Sequence, residues 1–90
     1  MIRWARSATK HRVTRARSDF VIQHCGLVFR VHAPAGQLDE RLLFLGDDEQ
    51  GVPLEVMAIE LQSGGLYVIH AMDLRGRYLP QYEEARRWRI

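Results

Sequence analysis

Apolar positions follow a helical spacing near the N-terminus, a two-residue spacing through the middle and a three-residue spacing near the C-terminus. Phe20, Val21 and Ile22, with Ala16 and Cys25, fall on one broad face of a segment that Thr14 can cap and Gly26 can stop. This predicts a helix from about Arg15 to His24. A weaker helical piece over about residues 7–11, with Ser7 as its cap, precedes it, and together they predict a basic helical hairpin. Both pieces are too short, and lack the third supporting helix, for a DNA-binding helix-turn-helix.

From Leu27 the period is two, the spacing of a half-buried strand. Leu27, Phe29 and Val31 alternate with Val28, Arg30 and His32, and Ala33-Pro34-Ala35-Gly36 ends this first strand. A second covers residues 41–45 and stops at the acidic turn 46–51. The third covers residues 53–61, with Leu54, Val56 and Ala58 on one side and Glu55, Met57 and Ile59 on the other. Ser63-Gly64-Gly65 makes a hairpin turn into a fourth, mostly apolar strand over residues 66–71, expected at the sheet centre. Residues 78–88 read as a helix, with Leu79, Tyr82, Ala85 and Trp88 three apart and Pro80 accommodated in the first turn. The order ααββββα predicts an α+β domain: an N-terminal helical hairpin, a four-stranded mainly antiparallel sheet with helices on one face, and a C-terminal helix.

Ninety residues allow a single domain and leave no room for a second catalytic lobe. The core of so short a chain is thin, so a partner or homodimer contact would add to its stability. Cys25 is the only cysteine, which rules out an internal disulfide, a CxxC redox pair or a zinc knuckle and points to a reduced, cytoplasmic setting. No apolar run approaches the roughly 20 residues that span a bilayer, and neither end resembles a leader, so no membrane association is expected.

The net charge of +2 conceals a strong asymmetry. Residues 1–17 carry six cations and no acid, residues 18–72 carry eight acids against two arginines, and residues 73–90 carry five arginines against three acids. Twelve of the thirteen basic residues are arginine, whose planar donor fork matches phosphate oxygens, so RNA or another nucleic acid, or an acidic protein, is the expected partner. A solvated basic face with no ligand would give the same count.

Arg41-Leu-Leu-Phe-Leu-Gly46, Gly51-Val-Pro-Leu-Glu-Val-Met-Ala-Ile59, Gly65-Leu-Tyr-Val-Ile-His-Ala71 and Tyr82-Glu83-Glu84 together resemble the second half of the BrnT-type toxins. There, an Arg-led strand ending in Gly, a strand after a Gly turn, and a strand reading Ile-Ile-Ser-Ala-Arg lead into a helix with a Glu and a Tyr. Ser7-Ala8 through Lys10-His11-Arg12-Val13-Thr14, with the helix after it, is similar to small domains of the DUF4258 type, which begin with a His-Ala pair followed by basic residues and a helix cap. The resemblance spans about residues 5–86 and rests mostly on strand hydrophobics and turn glycines. It implies a RelE-like fold and an RNA-cleaving toxin of a type II toxin-antitoxin pair, neutralised by a cognate antitoxin. Where the BrnT pattern has Ser-Ala-Arg this chain has His70-Ala71-Met72, with arginines displaced to Arg75 and Arg77. Where the other pattern has His-Ala it has Ser7-Ala8.

Metal-independent RNA cleavage needs a group to take the 2′-hydroxyl proton, a group to protonate the leaving oxygen, and positive charge on the phosphorane-like transition state. Histidine suits the proton transfers and arginine the charge. His70 ends the fourth strand just before Asp73-Leu74-Arg75-Gly76-Arg77-Tyr78, a basic loop whose arginines and following helix start can meet a phosphate. His70, Arg75, Arg77 and Tyr82 are therefore the candidate catalytic residues. Arg12 and Arg15, in a patch with His11, and Tyr78, as a base-stacking ring, are the candidate RNA contacts.

Structural roles fit the same residues: a hydrogen-bonded core histidine at His70, solvated charges at Arg75 and Arg77, core packing for Tyr82 and Trp88, and a Glu83–Arg87 helix pair. His32 with Arg30 is either a second site or an exposed edge. Cys25, beside a helix C-terminus, suits a small buried hydrophobe better than a nucleophile. The histidines and acids lack ligand spacing, so neither a metal nor another cofactor is expected. The second reading is a non-catalytic interaction domain of the same fold that binds an antitoxin-like partner or RNA through its basic face.

Overall fold

A computed structural model describes residues 1–33, 35–36 and 40–89. Its strands are β1 (Ile2–Trp4), β2 (Val28–Val31), β3 (Arg41–Asp47), β4 (Pro53–Glu60) and β5 (Leu66–Asp73), and its helices are α1 (Arg15–His24) and α2 (Leu79–Arg86), with 3-10 turns at Arg6–Ala8 and Gly76–Tyr78. The protein is α+β, built on one five-stranded mixed sheet of order β1-β5-β4-β3-β2. β1 runs parallel to β5, and every other neighbouring pair is antiparallel.

The N-terminus departs from the expected helical hairpin. Residues 2–4 form a strand against Leu66, Tyr67 and Val68, and the expected first helix shrinks to one 3-10 turn. Ile2 and Trp4 pack against the core while the intervening Arg3 is exposed, which is the alternation of a strand. Ser7 donates its hydroxyl to the Ile69 carbonyl at 2.6 Å and caps no helix. α1 forms as expected, with Thr14 Oγ1 accepting from the Arg17 N–H at 3.2 Å.

The helices pack on opposite faces, not on one. Val21, Ile22 and Cys25 of the α1 region cluster with Phe44, Leu54, Val56 and Ala58, whereas Tyr78 and Tyr82 cluster with Leu43, Leu45 and Met57. Alternate strand residues point to opposite sides, so these clusters lie on the two faces of one sheet. The unbroken apolar run over residues 42–45 has no polar side to give to water, and such a strand is stable only when covered twice.

β3 continues past the expected stop at Leu45, through Gly46 and Asp47, which pair with Leu54 and Pro53. The sheet's centre is β4, not β5. β5 is flanked by β1 only along residues 66–68, and among the described residues no strand covers its outer edge beyond that point. The pairs Met57–His70 and Ala58–Val68 leave Ile69 as an extra residue in β5, and a bulge of this kind re-aims neighbouring side chains. α2 is shorter than expected and leaves Trp88 62% exposed instead of in the core. The expected Glu83–Arg87 pair is replaced by Glu83–Arg86 at 3.8 Å and Glu84–Arg87 at 3.6 Å. Pro34, expected in the break after the first strand, lies outside the described residues. Among those residues no helix is long and apolar enough to cross a membrane.

Candidate active site

The site is organised around Glu55. β4 alternation sends it to the α2 face beside Met57, where it is 0% exposed. A carboxylate taken out of water persists only with hydrogen-bonded, charged partners. β5 supplies one, since His70 Nε2 lies 3.0 Å from Glu55 Oε2. The chain leaving β5 supplies the other. Arg75 donates its backbone N–H to Oε1 at 2.8 Å, its Nε to both oxygens at 3.1 Å, and its Nη2 to Oε2 at 2.8 Å. The Leu74 N–H, bonded to the Pro53 carbonyl at 3.1 Å, fixes the turn that brings Arg75 back.

These contacts determine the charge states. Burial pushes the Glu55 carboxyl up, but the Arg75 side-chain and backbone bonds and the His70 bond outweigh it, so its pKa is lowered and the group is ionised. Burial pushes the His70 imidazole down. The Glu55 bond opposes that shift, while the charges of Arg75 and His11 add to it, and the net result is a lowered pKa. The ring is therefore neutral near pH 7. Arg75 is held protonated by Glu55.

A second imidazole completes the group. The His11 ring meets His70 edge-on, with centroids 5.8 Å apart and planes at 70°. The chain turns there through Arg12, whose φ of 65° is rare for a residue with a side chain. Lys10, His11 and Arg12, with Met72 and Asp73, line a surface depression of about 280 Å³. Tyr78 is buried beneath two guanidinium groups, Arg75 at 5.7 Å and Arg77 at 5.0 Å from its ring centroid.

Of the residues proposed from sequence, His70, Arg75 and Arg77 are thus gathered with Tyr78, and Arg12 flanks His11. Tyr78 does not offer an open stacking surface, because it is only 9% exposed. Arg15 lies over the Trp4 ring at 5.5 Å. Tyr82 is bound elsewhere, its hydroxyl on Asp47 of β3 at 2.5 Å. His32 is exposed just past β2, and Arg30 faces Glu40 and Glu60 at 3.9 and 4.0 Å. Cys25 is buried, and burial raises its thiol pKa.

Glu55 was missed from sequence, where its available signal was a carboxylate between apolar neighbours in the middle of a strand. His11 was read only as part of an RNA-facing patch, and its place against His70, 59 positions away, had no sequence signal. Among the described residues no group of three or more His, Cys, Asp and Glu is arranged to hold a metal ion.

Comparison with protein-family models, with curated proteins and with solved structures finds no match. The chemistry is therefore read from the geometry: a neutral imidazole oriented by a buried carboxylate, a second imidazole against it, and an arginine anchored by the same carboxylate. Two proton-transfer groups and a fixed cation in one cluster are suited to phosphodiester transesterification.

Proposed function

We propose that the protein is a metal-independent endoribonuclease with a toxin-like role, in keeping with its resemblance to BrnT-type toxins of RelE-like fold. The observation that carries this reading is the buried Glu55 carboxylate, which holds both His70 and Arg75 while His11 faces His70. In the reaction, neutral His70 takes the 2′-hydroxyl proton as that oxygen attacks phosphorus. His11 gives a proton to the departing 5′-oxygen, and Arg75 and Arg77 balance charge on the phosphorane-like transition state. The products are a 2′,3′-cyclic phosphate and a 5′-hydroxyl. RNA is the substrate, and a cognate antitoxin with an acidic surface is the expected protein partner.

The test is incubation of purified protein with single-stranded RNA in excess chelator, alongside His70→Ala, His11→Ala and Arg75→Ala. Cleavage by the wild type, lost in all three variants, is the expected result. An inert wild type, beside a control nuclease active in the same buffer, would sink the enzyme reading. RNA binding without cleavage would leave the non-catalytic interaction domain.

A further inference from the structure

Four nitrogens surround the two oxygens of Glu55. Arg75 N and Nε point at Oε1, while Arg75 Nη2 and His70 Nε2 point at Oε2, with Nε shared between the oxygens. An ionised carboxylate only accepts hydrogen bonds, and an arginine only donates them. A protonated Glu55 could donate to His70 only by placing its proton on the oxygen that already accepts from Arg75 Nη2 at 2.8 Å. The 3.0 Å contact therefore requires the proton on His70 Nε2. In a neutral ring the other nitrogen then carries a lone pair.

We propose that Glu55 is a positioning residue that fixes His70 as its Nε2–H tautomer, so that Nδ1 is the atom that takes the 2′-hydroxyl proton. This rests on the ribonuclease reading. The charged and titratable groups around the ring come from separate elements: Glu55 from β4, Arg75 from the loop after β5, and His11 from the segment before α1. The Arg75 cation favours the neutral ring. The His70 side chain keeps 21% of its surface exposed, and Nδ1 makes none of the bonds to Glu55. One carboxylate thus sets the base and anchors the transition-state cation together.

The proposal makes a specific demand of Glu55→Gln. Arg75 directs both its backbone N–H and its Nε at the Oε1 position, so the amide oxygen takes that position and the amide nitrogen takes the Oε2 position, where Arg75 Nη2 loses its acceptor and His70 Nε2 faces an N–H. An amide N–H facing Nε2 needs a lone pair there, which forces the Nδ1–H tautomer and removes the base without removing the imidazole.

The experiment is two-bond proton–nitrogen correlation of histidine-labelled protein near pH 7, wild type against Glu55→Gln, with RNA cleavage and thermal melting on the same samples. The wild type is expected to show His70 as Nε2–H. Glu55→Gln is expected to show Nδ1–H, a retained fold and cleavage reduced by about 10²–10⁴-fold, the range for loss of a general base. An Nδ1–H wild type would overturn the proposal, as would an unchanged tautomer in a folded Glu55→Gln. Should that variant fail to fold, the wild-type spectrum still decides. A wild type that shows Nε2–H yet cleaves no RNA would overturn Nδ1 as acceptor of a 2′-hydroxyl proton together with the ribonuclease reading, and the tautomer assignment alone would survive.

Discussion

The Tyr82 hydroxyl donates to Asp47 Oδ1 at 2.5 Å, and Arg89 reaches Oδ2 of the same carboxylate at 3.0 Å while lying over the Tyr82 ring. This three-residue contact ties α2 and the turn after it to the end of β3. Burial and the bond to Asp47 both push the phenol pKa up, so Tyr82 is a poor proton donor and a good strut. Tyr82→Phe keeps the ring and leaves Asp47 with Arg89. The expected cost is roughly 1.5–3 kcal/mol, the range for one hydrogen bond to a charged acceptor, read by urea unfolding, with RNA cleavage unchanged. A loss of cleavage at unchanged stability would return Tyr82 to the active site.

How far this arrangement is legible in the sequence depends on the range of the interaction. The alternation of β4 names both faces correctly, because Leu54, Val56 and Ala58 meet α1 while Glu55 and Met57 face the other way. The Thr14 cap is equally local. β1 is not legible, since three residues become a strand only where β5 offers an edge more than 60 positions away. Trp88 has the spacing of a core residue, but α2 ends at Arg86 and the last turn leaves Trp88 outside. At the site, His70 and Arg75 are readable as residue types close in sequence. Their joint dependence on Glu55 appears only once α2 closes over the second face of the sheet.

Arg75→Ala leaves Glu55 buried with only His70 and the backbone N–H of residue 75 beside it. Removing one partner of a buried ion pair costs about 3–5 kcal/mol, and the lower end is expected because Arg75 is partly exposed and its backbone N–H remains. Adding Glu55→Gln to Arg75→Ala removes the stranded charge, so the double variant should be more stable than Arg75→Ala alone. Urea unfolding of the four proteins in the cycle measures this coupling. Additive losses would mean that the pair is held by solvent-screened contacts only.

Acidification should lower stability in two steps. His70 has a folded pKa below its ordinary 6.5. The unfolded chain therefore binds more protons in that window, and stability present above about pH 6.5 is lost as pH falls through the folded value. Glu55 has a folded pKa below its ordinary 4.5, so its contribution is present above that pH and is lost as pH falls through the lowered value. Asp48, whose carboxyl is lowered first by the Val52 N–H bond and also by Arg17, acts in the same lower region. Melting temperature measured from pH 8 to pH 3 should fall twice, with His70→Asn flattening the upper step and Glu55→Gln reducing the lower one. A rise in stability below pH 6.5 would contradict the His70 environment.

Gly26 and Gly51 both have left-handed backbones, at φ 84° and 81°, yet they predict different costs. A Cβ on Gly26 would lie 2.7 Å from the Trp88 carbonyl carbon, 2.8 Å from its oxygen and 2.9 Å from Arg89 N. All three are backbone atoms, so no rotamer change relieves the clash. At Gly51 nothing lies within 4 Å. Gly51→Ala should cost about 1 kcal/mol of backbone strain. Gly26→Ala should cost more than about 2 kcal/mol by adding the clash, and it should loosen Arg89 from Asp47. Equal losses in chemical denaturation would show that the last turn does not pack there.

Lys10 and Arg12 flank His11 around the depression beside β5, with Asp73 as the one acid in its lining. If an RNA backbone passes this edge, each cation that neutralises a phosphate releases counterions, and the slope of log affinity against log salt for single strands changes by about 0.7 per contact. Lys10→Ala and Arg12→Ala should each weaken RNA binding and shallow that slope by about 0.7. Arg86 at the end of α2 and Arg87 just after it pair with Glu83 and Glu84, so their alanine variants should leave the slope alone. Asp73→Asn reverses the sign of the change: removing the carboxylate from the strand's path should tighten binding. Fluorescence anisotropy with a labelled oligoribonucleotide in His70→Ala background, titrated across salt, separates these effects from cleavage. Equal slopes in the five variants and their His70→Ala parent would place the RNA path on another face.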